Sequence, residues 1–494
     1  MRNRAALLFS LLLSGCMVGP DYRTPETAMP GQFLEGKEAK GDSAPDSALC
    51  HWWKQFQDPL LDSLIAEAVR ANYSFRIAVE QISQARAQYR IQASYLWPEI
   101  DLNAEAVRSR NSQNFFTSSG GSASSTGSAT GSILPTFQNF FQIGLDAIYE
   151  FDLFGKYRRS KNAAYRLWEA SKENAQDILI SVVSEVAVSY VNICALQQLI
   201  ALTVGKIEAD NEELALTQVL FDAGLASEIQ VETIRATLES DSSQLPVLYT
   251  SLKQTIYGLA VLLGREPEGL VSTFQTAHSI PQGTDRIPLG LPSDLLRRRP
   301  DIKRAERQIA AATEQIGVAV ADLFPRVTLT GITFSGGQLA GSGYGYESGS
   351  LNTWFKPSSR AWSIGPAIRW DLIDFGKTRA NIRVQNSLQK QALLTYEQTV
   401  MASLQDVEGA LVAYFQEQKR RDHFKEQADA LLSSLELTQD LFQAGLADAQ
   451  QVLDGRKALI EAQSSLVASE QALTGDLIAV YKALGGNWEC SYTP

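Results

Sequence analysis

Two stretches of this chain are nearly the same: LFDAGLASEIQ at 220–230 and LFQAGLADAQQ at 441–451. Holding their offset of 221 without a gap, Leu216 and Thr217 fall on Leu437 and Thr438, Phe221 on Phe442, Gly224 on Gly445, and Leu263-Gly264 on Leu484-Gly485. A second alignment, offset by 227, lays YLWPEI (95–100) on DLFPRV (322–327). Between them stand FDLFGK (151–156) and WDLIDFGK (370–377), the second longer by two residues. The order proline, strand-like stretch, Phe-Gly-Lys, long helix, Ala-Gly-Leu turn, helix, Leu-Gly therefore occurs twice. So long a period implies two copies of one structural unit and excludes a solenoid of short repeats.

Each copy is organised around a helix of unusual length. Residues 156–221 contain no proline, and Ile178/Leu179, Val182/Val183, Val186/Ala187, Tyr190, Ile193/Cys194 and Leu199/Ile200 return at helical spacing. The counterpart over 377–442 carries Leu388, Leu393, Tyr396, Val400, Leu404, Val407, Leu411, Phe415, Leu431, Leu435 and Phe442. At 1.5 Å per residue each spans roughly 100 Å. Gly224 and Gly445 follow where a left-handed residue ends a helix, and return helices are predicted over 226–263 and 447–484. The repeated turn is thus the tip of a long helical hairpin. Apolar stripes of this length cannot be buried by one helix alone.

Ahead of each long helix the sequence predicts a β-hairpin, over 99–151 and 326–371. Ile100, Leu102, Ala104 and Ala106 alternate with Asp101, Asn103 and Glu105, and Phe141, Ile143, Leu145, Ala147 and Tyr149 alternate with Gln142, Gly144, Asp146 and Glu150. The second copy offers 326–334 and 361–370, the latter with Trp362, Ile364, Ile368 and Trp370 on one face and Pro366 marking a bulge. Such period-two runs have the length of membrane strands, although a half-buried soluble sheet shows the same alternation. Phe115, Phe116, Phe137, Tyr149, Phe151, Trp354, Phe355 and Trp370 gather near the strand ends, as interfacial girdles do. TSSGGSASSTGSATGS (117–132) and SGGQLAGSGYGYESGS (335–350) offer too little apolar surface to offset ordering entropy, which predicts long mobile surface loops.

Arg2 and Arg4, an apolar core from Ala5 to Leu13, and Leu13-Ser14-Gly15-Cys16 read as a signal peptide over 1–15 ending in a lipobox, with Cys16 the lipidated residue. Acyl chains there, at about 0.8 kcal/mol per buried CH₂, would anchor the chain stably. Met17 follows where Asp would resemble an inner-membrane retention signal, so the outer membrane is favoured. No other run reaches 18 apolar residues, and further crossings are left to strands. Four strands in a lone chain would leave two open edges in lipid, at several kcal/mol for each unpaired backbone group. The barrel must close between copies: two chains give eight strands and three give twelve.

The net charge of −11 argues against nucleic acid as a partner. Three scattered histidines (His51, His278, His423) and four cysteines without C-x-x-C spacing leave no transition-metal set, so no cofactor is expected beyond the lipid on Cys16. FGKT at 375–378 has Asp371 where a P-loop needs its leading glycine, GSGYG at 341–345 lacks the dinucleotide spacing, and no nucleophile motif is present; an enzyme is not expected.

GLPSDLLRRRPDIKRAERQIAAATEQIGVAVADLFPRVTLTG (290–331), HWWKQFQDPLLDSLIAEAVRANYSFRIA (51–78) and the two hairpin tips resemble the TolC family of outer-membrane efflux proteins, in the lipoprotein branch that includes OprM. The likeness covers the mature chain in the family order. It implies a mixed α and β membrane protein: a homotrimer whose twelve-stranded transmembrane β-barrel, four strands per chain, continues into a long periplasmic α-helical barrel. Structural repeats 71–264 and 293–484 would be joined by an equatorial belt from 16–70, the linker 265–292 and the tail 485–494. The implied function is a passive exit duct for small molecules such as drugs, docked through a periplasmic adaptor protein onto an inner-membrane transporter.

In relatives, the helix after the second tip carries a Tyr-Leu-x-Val/Leu-Leu-Asp-Ala-Gln-Arg-like pattern that helps hold the periplasmic end closed. AQQVLDGRKAL (449–459) puts Asp454 and Lys457 on the charged positions, while Ala449 and Gln450 replace Tyr-Leu. The resemblance therefore implies a polar aperture of Asp454, Lys457 and Gln450; the alternative is a solvated i,i+3 pair worth a few tenths of a kcal/mol. Ala223-Gly224-Leu225 and Ala444-Gly445-Leu446 become the adaptor-docking tips, six near-equivalent sites per trimer. Cys194 falls on an apolar stripe as a buried thiol, whereas the family layout brings Cys50 and Cys490 into one belt, where a bridge between them is expected. Two other functions fit the residues: the outer-membrane channel of type I protein secretion, and a lipid-anchored coiled-coil scaffold or adhesin with soluble hairpins.

Overall fold

A computed structural model describes residues 17–35, 51–110, 137–283, 291–330, 332–335 and 338–486. Cys16 with its signal segment, Cys50, Phe115, Phe116, Cys490 and the stretch 117–132 lie outside the described residues. In chain order the main elements are α1 (Pro59–Ala71), α2 (Tyr73–Ser94), β1 (Glu99–Arg110), β2 (Phe137–Phe151), α3 (Lys156–Asp222), α4 (Glu228–Leu262), α5 (Pro300–Ala321), β3 (Arg326–Thr330), β4 (Ile332–Ser335), β5 (Gln338–Ser348), β6 (Arg360–Ser363), β7 (Gly365–Arg369), α6 (Lys377–Gln443) and α7 (Ala449–Ala483). The duplication is visible in the lengths: α3 and α6 have 67 residues each, α4 and α7 have 35 each. Two compact units form, one of Met1–Arg23, Ala85–Leu167 and Ile309–Gln391, the other of Thr24–Gln84, Trp168–Gln308 and Ala392–Pro494.

The first unit holds an antiparallel sheet four lanes wide. β1 lies along one edge of β2, with Ile100 opposite Ala147, Leu102 opposite Leu145 and Ala104 opposite Ile143. On the other edge of β2 lie β3 and β5 end to end: Ile148 faces Thr330 and Ala147 faces Ser342. β7 and β6 complete the fourth lane against β3 and β5 respectively. The third lane departs from the expectation of one strand over 326–334 and a loop over 335–350. It breaks after Thr330, makes a short excursion in which β4 pairs with the start of β5, and resumes at Ser342. Glycine-rich composition suggested a loop, but here the glycines serve close pairing. A side chain on Gly345 would strike the backbone of Ile143 and Gly144, while Tyr344 and Tyr346 share the face of Leu145 and Ile143. The fourth lane is interrupted at Ile364, and Pro366 is accommodated opposite Leu329 because β7 is an edge strand.

This sheet is turned inside out. On β2 the buried positions are polar, Gln142 and Asp146, whereas Leu145 is 51 % exposed and its neighbour Leu102 is 66 % exposed. Across the lanes, Ile100, Leu102, Leu145 and Ile368 stand on an exposed apolar face.

At the foot of the sheet each long helix begins on an aspartate cap. Asp152 accepts from Tyr157 N–H (3.1 Å) and Arg158 N–H (2.9 Å), and Asp374 accepts from Gly376 N–H (2.9 Å) and Thr378 N–H (2.7 Å). A hydrogen bond from the Thr378 hydroxyl, together with these two backbone bonds, holds the Asp374 carboxyl well below the usual range, at about 2. Gly376 and Lys377 thus sit at a strand-to-helix junction. Beside the first junction Arg159 is fully buried, donating to Val18 O, Gly19 O, Asp21 (2.8 Å) and Glu314 (3.0 Å), which pins the chain just after residue 16. Met17 itself fills the space beside Gly155.

The second unit is helical. By composition the middle of α3 is apolar enough to cross a bilayer, yet 67 % of that stretch is buried inside the chain. Val183, Val186, Tyr190, Ile193 and Cys194 are all essentially inaccessible, as are Leu61 and Leu259. Burial pushes the Cys194 thiol up to about 12, so it is an inert packing residue. Asp58 caps α1 through Leu60 N–H (2.9 Å) and accepts from Tyr190 Oη (2.6 Å). Gln197 holds the segment after α4 by bonding Phe274 O, Thr276 O and His278 N–H. Trp52 stacks on Tyr481 with ring centroids 5.5 Å apart, and Gly486 lies against the same indole.

Candidate functional site

The two tips are one turn built twice. After α3, Gly224 N–H donates to Phe221 O (2.8 Å) and Leu225 N–H to Leu220 O (2.8 Å); after α6, Gly445 donates to Phe442 O (2.9 Å) and Leu446 to Leu441 O (2.8 Å). The glycine φ angles are +74° and +73°, in the left-handed region that closes a helix without a Cβ clash. Ser227 and Gln230 form a reciprocal capping box at the start of α4, and Asp448 accepts from Gln451 N–H (2.9 Å) at the start of α7. With these groups satisfied locally, Ala223, Gly224, Leu225, Ala444, Gly445 and Leu446 are left exposed, both leucines at 77 %.

Behind the second tip, α7 is tied to α3 by a polar cluster. Lys457 Nζ lies 2.6 Å from Asp210 Oδ1 and also pairs with Glu213, which accepts in addition from Gln450 Nε2. Arg456 reaches Glu212 at 3.2 Å, and Lys206 bridges Asp241 of α4 (3.1 Å) and Glu461 of α7 (3.0 Å). Asp210 is fully buried and Asp241 nearly so. Burial raises the Asp210 pKa, Lys457 opposes the rise and Asp241 adds to it. Burial works against the Lys457 charge too, but Asp210 and Glu213 outweigh it and its pKa is raised.

The i,i+3 alternative for Asp454 and Lys457 does not hold in this structure. Lys457 turns inward to α3, because two desolvated carboxylates, Asp210 and Glu213, both attract its charge there; Asp454 stays exposed and accepts from Gln450 Nε2 at 3.2 Å. Sequence reasoning missed Asp210, Glu213, Asp241 and Lys206. The signal was available on α3, where the buried stripe of Val183, Tyr190 and Ile193 continues into Ala209, Asp210, Glu213 and Thr217, and so turns polar near the tip.

The family model of outer membrane efflux proteins matches residues 64–265 and 291–486. The chain belongs to the outer membrane efflux proteins. The starts of the two matched segments differ by 227 and their ends by 221, which are the two offsets of the internal duplication. Similar relatives include the solvent efflux pump outer membrane protein SrpC of Pseudomonas putida, 30 % identical over 99 % of this chain and 100 % of the relative. Nodulation protein T of Rhizobium leguminosarum bv. viciae is 29 % identical over 98 % of this chain and 93 % of its own length. The solved structure of the outer-membrane channel OprN matches with a TM-score of 0.82 at 30 % identity, over 96 % of this chain and all of that one. As an outer membrane efflux protein, the chain works in the outer membrane and extends into the periplasm, as the exit duct of a tripartite efflux system.

Proposed function

We propose that the protein acts as a homotrimer in which three four-lane sheets close a twelve-stranded barrel and the long hairpins form a periplasmic α-helical tube that conducts passively. The observation that carries this reading is the inside-out sheet: exposed Leu102, Leu145 and Ile368 suit lipid, while buried Gln142 and Asp146 suit a polar interior. In this reading 16–70, 265–292 and 485–494 supply the belt, and the exported class is small molecules such as drugs. The name of the Pseudomonas putida relative adds solvents to that class. Energy comes from an inner-membrane transporter, joined through an adaptor on the exposed Ala-Gly-Leu tips, and the chain itself carries no catalysis. The ties of Lys457 and Gln450 to α3 hold the aperture shut, with Asp454 of three copies facing the axis.

Cys16 carries the lipid in this reading, and the packing of Met17 against Gly155 supports it, since it keeps the next residue at the foot of the sheet. The stacking of Trp52 on Tyr481, with Gly486 against the same indole, supports a Cys50–Cys490 bridge. The decisive experiment is reconstitution: a heat-modifiable trimer with single-channel conductance is expected, and a fully soluble, non-conducting protein after Cys16→Ser would refute the duct. Peptide mapping without reduction should yield one linked Cys50–Cys490 peptide; free alkylation of both thiols in the native protein rejects the bridge. In the chain-entropy model so long a loop contributes on the order of 5 kcal/mol, less here because the fold already restrains both tails.

A further inference from the structure

The internal duplication gives a template for a contact that one chain cannot make with itself. In the first unit Phe154, of the first Phe-Gly-Lys, stacks on Phe324 with ring centroids 4.5 Å apart and an interplanar angle of 16°. Next to it Lys156 pairs with Asp322 at 2.7 Å. The first copy's junction thus packs on the second copy's Asp-Leu-Phe-Pro segment.

Exchanging the copies maps Phe154 onto Phe375 and, at the offset of 227, Phe324 onto Trp97. Both mapped residues are bare: Phe375 is 99 % exposed and Trp97 75 %. Phe375 also has φ +51°, a backbone conformation unusual for a bulky residue. Leu372 and Ile373 beside it are exposed as well. A large aromatic displayed in this way, with its duplicate-related partner also exposed, calls for a second copy of the same chain.

We propose that Phe375 of one protomer stacks on Trp97 of the next, in the place that Phe324 gives to Phe154 within the chain. The same exchange fixes the strand register across the junction. Within the chain Phe151 pairs with Val327 and Ile148 with Thr330. Phe151 maps onto Trp370 and Val327 onto Ile100, so Trp370 of one protomer pairs with Ile100 of the next and Ala367 with Asn103. Ile368 then lies opposite Leu102, joining two apolar residues that are exposed in the lone chain. The exchange is not exact in charge: Lys156 maps onto Lys377, but Asp322 maps onto Tyr95, so the contact between protomers is aromatic where the internal one is partly ionic.

This inference rests on the trimer reading, and the test separates the two. In the full-length protein in outer-membrane vesicles, the double variant Trp97→Cys/Phe375→Cys is treated with a short bismaleimide, with each single variant as background. Phe154→Cys/Phe324→Cys calibrates the reagent, because it must link within one chain. A ladder of covalent dimer and trimer from the first pair only is the expected result. A native trimer that the reagent fails to link, while the calibration pair links, overturns the contact and leaves the trimer standing. Absence of any trimer overturns both. Phe375→Trp in vesicles of brominated lipid covers the remaining occupant: strong quenching places the ring in acyl chains and rejects the contact, whereas weak quenching supports it.

Discussion

The two helical hairpins share a turn and differ in the residues that brace it. At the tips the matched hydrogen bonds are all but equal, Gly224 to Phe221 at 2.8 Å beside Gly445 to Phe442 at 2.9 Å, and so are the glycine φ angles, +74° and +73°. A few helical turns further back the copies part. At the offset of 221, Asp210 corresponds to Leu431, Glu213 to Ser434, Lys206 to Gln427 and Asp241 to Ala462. On the return helices Lys457 corresponds to Ala236, Gln450 to Ile229 and Asp454 to Thr233. The charged tie is therefore made once per chain, between α3 and α7, while the turn is made twice. Two exposed, equivalent turns suit repeated docking, and a single polar tie suits a fastening that one hairpin carries and the other does not. Ile229, at the position of Gln450, is 78 % exposed, so the first return helix offers an apolar face where the second offers a bonded one.

The strongest way to break this comparison is to remove the cation from the tie. Lys457→Met leaves fully buried Asp210 without its partner, at a cost of about 3–5 kcal/mol for a broken buried pair. Single-channel conductance should rise severalfold in an intact trimer, with a smaller rise for Asp454→Ala, whose carboxylate is exposed. Ala236→Met, at the duplicate position, should change nothing. Equal effects of Lys457→Met and Ala236→Met would mean that the tie does not distinguish the hairpins.

Next in size are the tips. Gly224→Asp and Gly445→Asp each place a side chain at positive φ, costing roughly 1 kcal/mol or more without any clash, since open space surrounds both positions. Both should leave the trimer and its conductance intact and abolish efflux, measured as restored drug susceptibility. Loss of stability without a selective loss of transport would make the turns merely structural.

The smallest expected effect concerns Asp476 on α7, which falls on Thr255 of α4. Burial, reinforced by Glu417, pushes its carboxyl up to about 6 from 3.8. A carboxyl with a raised folded pKa binds its proton more tightly when folded. Its contribution is fully present below 3.8 and lost as pH rises through about 6. Asp476→Asn should raise stability above that pH by about 1 kcal/mol, since the half-buried group is screened, and flatten the pH dependence of Tm across that window. An unchanged profile would place the pH dependence elsewhere.

What the chain determines by itself is local. Gly224 and Gly445, the caps Ser227 and Asp448, and the proline-free stripe over 156–221 act over a few residues, so the hairpins and their tips can be read directly. β1, β2, β3 and the fourth lane were legible for the same reason, through period-two alternation; the β5 half of the third lane was not. Tertiary structure decided whatever depends on what a residue meets. Gly343 and Gly345 read as loop by composition, yet β5 pairs with β2 there because the partner strand brings Gly144 opposite Gly345. Helical spacing also allowed Lys457 to pair with Asp454 one turn away, as the alternative to an aperture role, yet it turns to Asp210 in the other copy of the repeat, because a buried carboxylate gains more from a cation than an exposed one does. Sequence spacing measures neighbours along a helix. Desolvation, which chose between these partners, is created only when helices from the two copies come together.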